Sequence, residues 1–214
     1  MTTSEYAFLL IFSVACGGCV RAAVLAWSGR TKRSPATQTR VAVTAILLAN
    51  LLPFGMVWMG APGSFLFRRA TLPADIVLGV ALGSVIHAVA FRPFFRDPWT
   101  GATIGPWWWT VFAFGTGIFE EVIWRGFAYA HGVALFGRPG GLLALALFAF
   151  GHMARGLPGL LGPAVLGFGC AALLDLRGSL VAPVVAHITY NLLIGCVGGR
   201  DGAHSRSGLM QTIS

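Results

Sequence analysis

Charged side chains are scarce in this sequence. Only 10% of its 214 residues are Asp, Glu, Lys or Arg, and only 7 are acidic, whereas a soluble domain carries about 25% charged residues. Hydrophobic residues make up 56% of the chain and form runs of ~20 residues, long enough to cross a bilayer as helices. The composition therefore excludes a soluble domain of useful size and predicts an all-α, polytopic transmembrane helical bundle.

Cysteine is also rare, and the 4 cysteines give no disulfide framework. Cys16 and Cys19 have the spacing of a redox motif, but the residues between them are glycines inside an apolar run, where helix packing is the expected role. Cys170 and Cys196 are interpreted as small apolar core residues. The cysteine pattern therefore favours packing over redox chemistry.

The first apolar segment lacks the basic n-region that precedes a cleavable signal peptide. It carries Glu5 near its start, and the first arginine of the chain is Arg21. We therefore expect this segment to be retained as the first helix.

The net charge of +8 raises the question of a nucleic-acid partner. The arginines, however, lie mostly in short loops between apolar runs, as they do in membrane proteins that follow the positive-inside rule. We therefore expect the lipid bilayer with its anionic headgroups as a partner, and no nucleic acid. The chain is predicted to be an integral membrane protein, and its Gly-, Ala- and Arg-rich composition is compatible with the bacterial cytoplasmic membrane.

Breaks rich in Pro, Gly and Arg divide the apolar runs into about seven predicted spans. These spans are 5–27, 41–60, 73–91, 106–131, 140–155, 158–175 and 179–198. The first three belong to an N-terminal part, 1–105, in which the aromatic and basic segment 62–72 is a candidate interfacial segment. The other four form a C-terminal unit, 106–198, which is followed by a polar tail, 199–214.

Two carboxylates and one arginine lie inside the fourth predicted span, in the run WWWTVFAFGTGIFEEVIWRGFAYA. Each charge at membrane depth costs ~3 kcal/mol or more, so such a cluster needs partners or a function. Glu121 and Arg125 are four residues apart, the spacing at which two helical side chains meet, and are predicted to form a buried ion pair. Glu120 then points ~100° away, outside that pair, and is a candidate general base. The alternative is a purely structural network of ion pairs.

Two further pairs have helical spacing. Phe148 and His152 end an apolar run, and a helical histidine of this kind is more often a hydrogen-bonded packing residue. His187 and Asn191 lie one turn apart on one helix face, where an imidazole and an amide together suit an anion-stabilising site. A hydrogen bond between helices would use the same residue types, so the last pair alone leaves both interpretations open.

The three histidine and glutamate positions agree in depth. With a rise of 1.5 Å per residue in a ~30 Å hydrocarbon core, the alternating helix directions place Glu120, His152 and His187 in the same half of the membrane. This agreement does not depend on which way the protein is inserted. The three side chains are therefore predicted to converge.

Glu-Glu-x-x-x-Arg at 120–125, Phe-x-x-x-His at 148–152 and His-x-x-x-Asn at 187–191 resemble the three motifs of the CPBP family. That family contains CAAX prenyl endopeptidases, bacteriocin-processing and self-immunity proteins, and other intramembrane proteases. The resemblance covers about 106–198 and makes that unit the catalytic core. It implies an intramembrane endopeptidase of the glutamate type, which hydrolyses a peptide bond of a membrane-associated protein or peptide.

The resemblance also implies a role for each motif residue. Glu120 with His152 would activate a water molecule, and His187 with Asn191 would stabilise the oxyanion. Supporting positions are Glu121, Arg125 and Phe148.

Two histidines and a glutamate also resemble a zinc set, which here would be Glu120, His152 and His187. These residues lie on three different helices without a His-x-x-x-His pair, so no metal or other cofactor is expected, and zinc is the alternative.

Two other function classes remain open. A transporter would also keep buried charges and could use His87, but no repeated halves are visible. A non-catalytic protein that binds a membrane partner would be expected to have damaged motifs, and these motifs are intact.

Overall fold

The computed structural model describes residues 2–28, 35–60, 72–91, 105–153 and 156–210, and all of these are helical or lie in short turns. The helices are α1 (Thr3–Ser28), α2 (Pro35–Gly60), α3 (Leu72–Ile86), α4 (Pro106–Glu121), α5 (Ala130–Phe136), α6 (Arg138–Phe150), α7 (Gly156–Arg177) and α8 (Val181–Met210). Wider π-helical turns continue α3 through His87–Phe91 and join α4 to α5 through Val122–Tyr129. The predicted all-α class is confirmed.

The described helices correspond to the seven predicted apolar segments, because α4, the π-helical turns and α5 form one rod. Among the residues that the structure describes, two segments are long and apolar enough to cross a membrane, Leu72–Val89 and Gly159–Arg177. Seven membrane crossings therefore stay a prediction. The last helix extends beyond the predicted limit of 198 to Met210, and most of the proposed interfacial segment, 62–71, lies outside the described residues.

Glycines set the spacing of α8 against its neighbours. A Cβ atom added to Gly79 of α3 would lie 2.6 Å from the carbonyl oxygen of Ala182, and one added to Gly117 of α4 would lie 2.6 Å from Cγ1 of Ile188. Small residues of this kind let helix backbones approach closely. They hold the N-terminal half of α8 against both α3 and α4.

A tight turn brings α6 back beside α5. Gly137, between the two helices, has φ of +67°, a conformation that favours glycine. Where α5 and α6 pack beside this turn, a Cβ atom added to Gly132 would lie 2.8 Å from the carbonyl oxygen of Gly140. The close antiparallel pair that results directs the end of α6 toward the middle of the α4 rod.

The N-terminal helices pack directly on the C-terminal unit. The hydroxyl of Tyr6 donates a buried hydrogen bond of 2.7 Å to the carbonyl oxygen of Ala128. The ring of Phe54 in α2 lies 4.9 Å from that of Phe119 in α4. The two parts of the sequence thus share one core.

A partly buried ion pair lies where α3 begins and α7 ends. Nε of Arg177 donates to Oδ1 of Asp75 over 2.7 Å, and the Asp75 side chain is fully buried. Nearby on α7, Asp175 accepts a 2.7 Å hydrogen bond from the hydroxyl of Tyr129. These contacts connect α7 to α3 and to the π-helical turns.

Cys170 is a buried free thiol in α7, as its interpretation as a core residue predicts. The side chains of Cys16, Cys19 and Cys196 lie outside the described residues.

Candidate active site

The predicted ion pair between Glu121 and Arg125 is present. Nη1 of Arg125 lies 3.1 Å from Oε1 of Glu121, and both side chains are fully buried. The guanidinium carbon also lies 4.1 Å from the ring centroid of Phe148, close enough for a cation–π contact. Phe148 thus supports Arg125 from α6, and the arginine connects two helices.

Glu121 has a second partner, which the sequence spacing did not indicate. Its Oε1 atom accepts a 2.7 Å hydrogen bond from Nδ1 of His187. Because Nδ1 donates, a neutral His187 carries its proton there and presents Nε2 as an acceptor. Nε2 lies 4.0 Å from Oε2 of Glu120, so Glu121 orients one histidine toward the other glutamate.

His152 lies in the turn that follows α6 and faces Glu120 from the side opposite His187. The expectation that its helix continues to residue 155 is wrong, because α6 ends at Phe150. The backbone N–H of His152 bonds to the carbonyl of Ala149, whereas the carbonyl of Phe148 accepts from Nδ1 of the His152 ring over 2.9 Å. The ring thus takes the acceptor that the next helical turn would need.

The two histidines are held in the same way. In His152 as in His187, Nδ1 donates to a fixed acceptor and Nε2 faces Oε2 of Glu120, at 3.8 Å and 4.0 Å respectively. Glu120 itself is 3% exposed. The structure therefore brings together the three side chains predicted to converge, with one carboxylate oxygen between two imidazoles.

Asn191 lies one turn after His187 and is fixed by two contacts. Its side-chain nitrogen donates to Oγ1 of Thr116 over 3.0 Å, and its backbone carbonyl accepts a 2.7 Å bond from the indole of Trp109. Thr116 in turn donates to the carbonyl of Phe112. An amide carries two N–H bonds, so Asn191 has one more to donate.

A cavity of ≈ 30 Å³ opens beside Glu120. A bound water needs only ~10–15 Å³ and a few polar partners. The cavity is lined by Ser13, Val14, Asn50, Glu120, Ile123, Trp124, Leu147, Phe148, Gly151 and His152. It therefore offers room for a small polar reactant next to the carboxylate.

Two expectations from the sequence concern other groups. His87 is buried and its ring meets that of Tyr190 edge-on, with centroids 6.5 Å apart. It therefore packs on the helix that carries His187.

A zinc site is the other expectation, and Glu120, His152 and His187 supply suitable donor atoms for it. Over the part of the chain that the structure describes, however, no group of three or more His, Cys, Asp or Glu side chains is arranged to hold a metal ion.

Comparison with known proteins agrees with the three motifs. Residues 102–193 match the family model of the Rce1-like type II CAAX prenyl endopeptidases. No curated protein and no solved structure matches the chain. The matched segment contains Glu120, Glu121, the two motif histidines and Asn191, and the resemblance of residues 102–193 to the CAAX protease family is thereby confirmed.

Proposed function

We propose that this protein is an intramembrane endopeptidase that hydrolyses a peptide bond of a membrane-associated protein or peptide. The observation that carries the proposal is the position of Oε2 of Glu120, 3.8 Å from Nε2 of His152 and 4.0 Å from Nε2 of His187. A carboxylate held between two oriented imidazoles, beside a cavity that can admit water, suits general-base hydrolysis.

Glu120 is the proposed base. As the oxygen of a water molecule bonds to the scissile carbonyl carbon, one proton of that water passes to Glu120 and the carbonyl electrons move to the oxygen. When the tetrahedral intermediate collapses, the C–N bond breaks and the amine leaving group takes up a proton. His152, with Nε2 facing Glu120, can relay that proton.

His187 and Asn191 are the proposed oxyanion partners. A neutral His187 donates through Nδ1 to Glu121, so it can donate to an oxyanion only when Nε2 also carries a proton. Asn191 would contribute its second N–H bond, since the first is bonded to Thr116. Together they would supply two donors for the developing negative charge.

The membrane setting is also part of the proposal. Large apolar side chains lie exposed on several helices, among them Ile11 at 68%, Leu48 at 63% and Phe168 at 54% exposed. Apolar surface of this extent is rare on monomeric soluble proteins. It supports an integral membrane protein, in which the other apolar helices span the bilayer beside Leu72–Val89 and Gly159–Arg177.

The test is cleavage by the purified protein in liposomes. Two probes are offered, a membrane-anchored peptide with an unmodified C-terminus and a peptide with a prenylated CAAX end, because the family description names prenylated substrates. Wild type should cleave at least one probe. Glu120→Gln should cleave neither, because an amide cannot accept the proton of water.

Glu5→Gln is the matched control. Glu5 is an exposed glutamate at the start of α1, bonded to the backbone of Thr2, and its change should leave cleavage intact. Cleavage at the wild-type rate by Glu120→Gln would remove Glu120 from its role and favour a transport function.

Metal dependence has its own test. We propose a metal-independent reaction, so dialysis against a chelator should leave turnover unchanged. Elemental analysis of the dialysed protein should find less than one equivalent of zinc. Loss of activity on chelation, with recovery on adding zinc, would assign Glu120, His152 and His187 as metal ligands instead.

A further inference from the structure

Two polar side chains of the N-terminal helices line the cavity beside Glu120. Ser13 lies on α1 and Asn50 on α2, and both precede the family segment at 102–193. Their exposed fractions are 7% and 8%. The cavity therefore has a polar wall that the matched family segment does not supply.

The hydrogen bonds of these two side chains decide what they can offer. Oγ of Ser13 donates to the carbonyl of Leu9 over 2.8 Å, and Nδ2 of Asn50 donates to the carbonyl of Ile46 over 2.9 Å. The single hydroxyl proton of Ser13 is thereby used. Both residues keep an oxygen, Oγ and Oδ1, that can accept a hydrogen bond.

Few other side-chain acceptors line this cavity. The side chains of Val14, Ile123, Leu147 and Phe148 are hydrocarbon, and the indole of Trp124 is a donor. Apart from Ser13 and Asn50, the side-chain acceptors are those of Glu120 and His152. A water bound here therefore finds acceptors on two sides, the catalytic carboxylate and the N-terminal wall.

An attacking water has two protons, and only one passes to the base. If the second proton is held by a fixed acceptor, a lone pair of the oxygen points away from both acceptors and toward the carbonyl carbon. Such positioning lowers the barrier because the orientation is set before the reaction. We propose that Asn50 is a positioning residue that accepts a hydrogen bond from the second proton of the water bound to Glu120. Ser13 is the other acceptor in the same wall of the cavity.

This inference rests on the proposed hydrolytic function, and turnover with the cleaved probe tests it. Asn50→Leu keeps the volume but removes the amide, and Ser13→Ala removes the hydroxyl. Each should lower kcat by about tenfold, the effect of losing one hydrogen bond in the transition state. KM should stay within about twofold, because the water and not the substrate has lost its partner.

Conservative variants separate positioning from packing. Ser13→Thr keeps the hydroxyl and should retain most of the turnover. Asn50→Asp keeps an acceptor oxygen and should exceed Asn50→Leu in kcat. If Asn50→Leu does not fold, the kcat of Asn50→Asp relative to wild type tests the proposal instead.

A matched control comes from the same helix as Asn50. Thr44→Val removes an exposed hydroxyl of α2 that makes the same kind of bond, to the carbonyl of Arg40. This variant should turn over at the wild-type rate.

The outcomes are distinguishable. Full turnover by Asn50→Leu and Ser13→Ala, with an inactive Glu120→Gln, would overturn the positioning role and leave the proposed hydrolysis standing. A raised KM with unchanged kcat would assign the wall to substrate binding and also overturn it. If Glu120→Gln cleaves as wild type does, the hydrolytic function falls, and with it the water site.

Discussion

The charge on Glu121 should matter more to stability than the charge on Arg125, although the two form one pair. Glu121→Gln keeps the shape of the side chain and an acceptor oxygen for Nδ1 of His187. It leaves the Arg125 guanidinium as an uncompensated charge at 0% exposure. An arginine cannot lose its proton in a protein, so no local adjustment relieves the loss.

The magnitude follows from this burial. Removing one partner of a buried ion pair typically costs ~3–5 kcal/mol. Nε and Nη2 of Arg125 have no hydrogen-bond partner among the described residues, so few other contacts hold the guanidinium in place. We expect Glu121→Gln to lose about 3–5 kcal/mol of stability, which corresponds to a fall of about two to four orders of magnitude in the folded-to-unfolded ratio.

Arg125→Met should be milder. It leaves a buried carboxylate, but that carboxylate still accepts a hydrogen bond from Nδ1 of His187, whereas a lone guanidinium has no such partner in the part of the chain that the structure describes. The double variant Glu121→Gln/Arg125→Met should also be more stable than Glu121→Gln alone, because no lone charge remains.

Thermal unfolding and folded yield in detergent measure this order, with Glu5→Gln as the matched exposed control. The reasoning is refuted if Glu121→Gln unfolds at the wild-type temperature. It is also refuted if Arg125→Met proves the less stable of the two single variants.

Three other substitutions test separate parts of the site. Asn191→Ala should lower kcat by ~10²–10³ with little change in KM, as expected for one lost oxyanion donor, whereas poor binding with full kcat would place Asn191 in substrate recognition. His152→Ala should lower kcat further, because it removes a partner in forming the nucleophile, and steady-state kinetics would contradict this if its kcat exceeded that of Asn191→Ala. Gly167→Ala should destabilise the protein by ~1–3 kcal/mol, because its Cβ atom would lie 3.0 Å from Nη2 of Arg125. Gly55→Ala, where a Cβ atom meets nothing within 4 Å, is the control in the same unfolding assay, and equal effects of the two would contradict the packing argument.

Residue spacing in the sequence predicted the contacts that lie within one helix. The contact between Glu121 and Arg125 follows from their spacing of four residues on one helix, and most breaks between the helices follow from Pro, Gly and Arg. The bond from His187 to Glu121 joins residues 66 positions apart, and no periodicity reports the rotation of one helix against another. The rise per residue predicts that the two histidines lie at the same depth as Glu120. It does not predict which ring nitrogen of each histidine faces the carboxylate.

Other parts of the site had only a weak signal in the sequence. Ser13 and Asn50 are single polar residues in apolar helices, and such residues commonly bond to their own backbone, as both do here. Their position at the cavity depends on how α1 and α2 pack, which composition does not specify. The turn at His152 could have been suspected from Gly151, a poor helix former, although the ring bond that replaces the next helical turn could not.

The charges around Glu120 also bear on the proposed reaction. The two ionised glutamates and Arg125 sum to one negative charge. A net charge is costly where the surroundings are apolar, so a second negative charge, added on a substrate oxygen, would raise that cost. In the proposed first step the proton gained by Glu120 offsets the charge that appears on the substrate oxygen, so the oxyanion can form without any change in the total charge of the buried site.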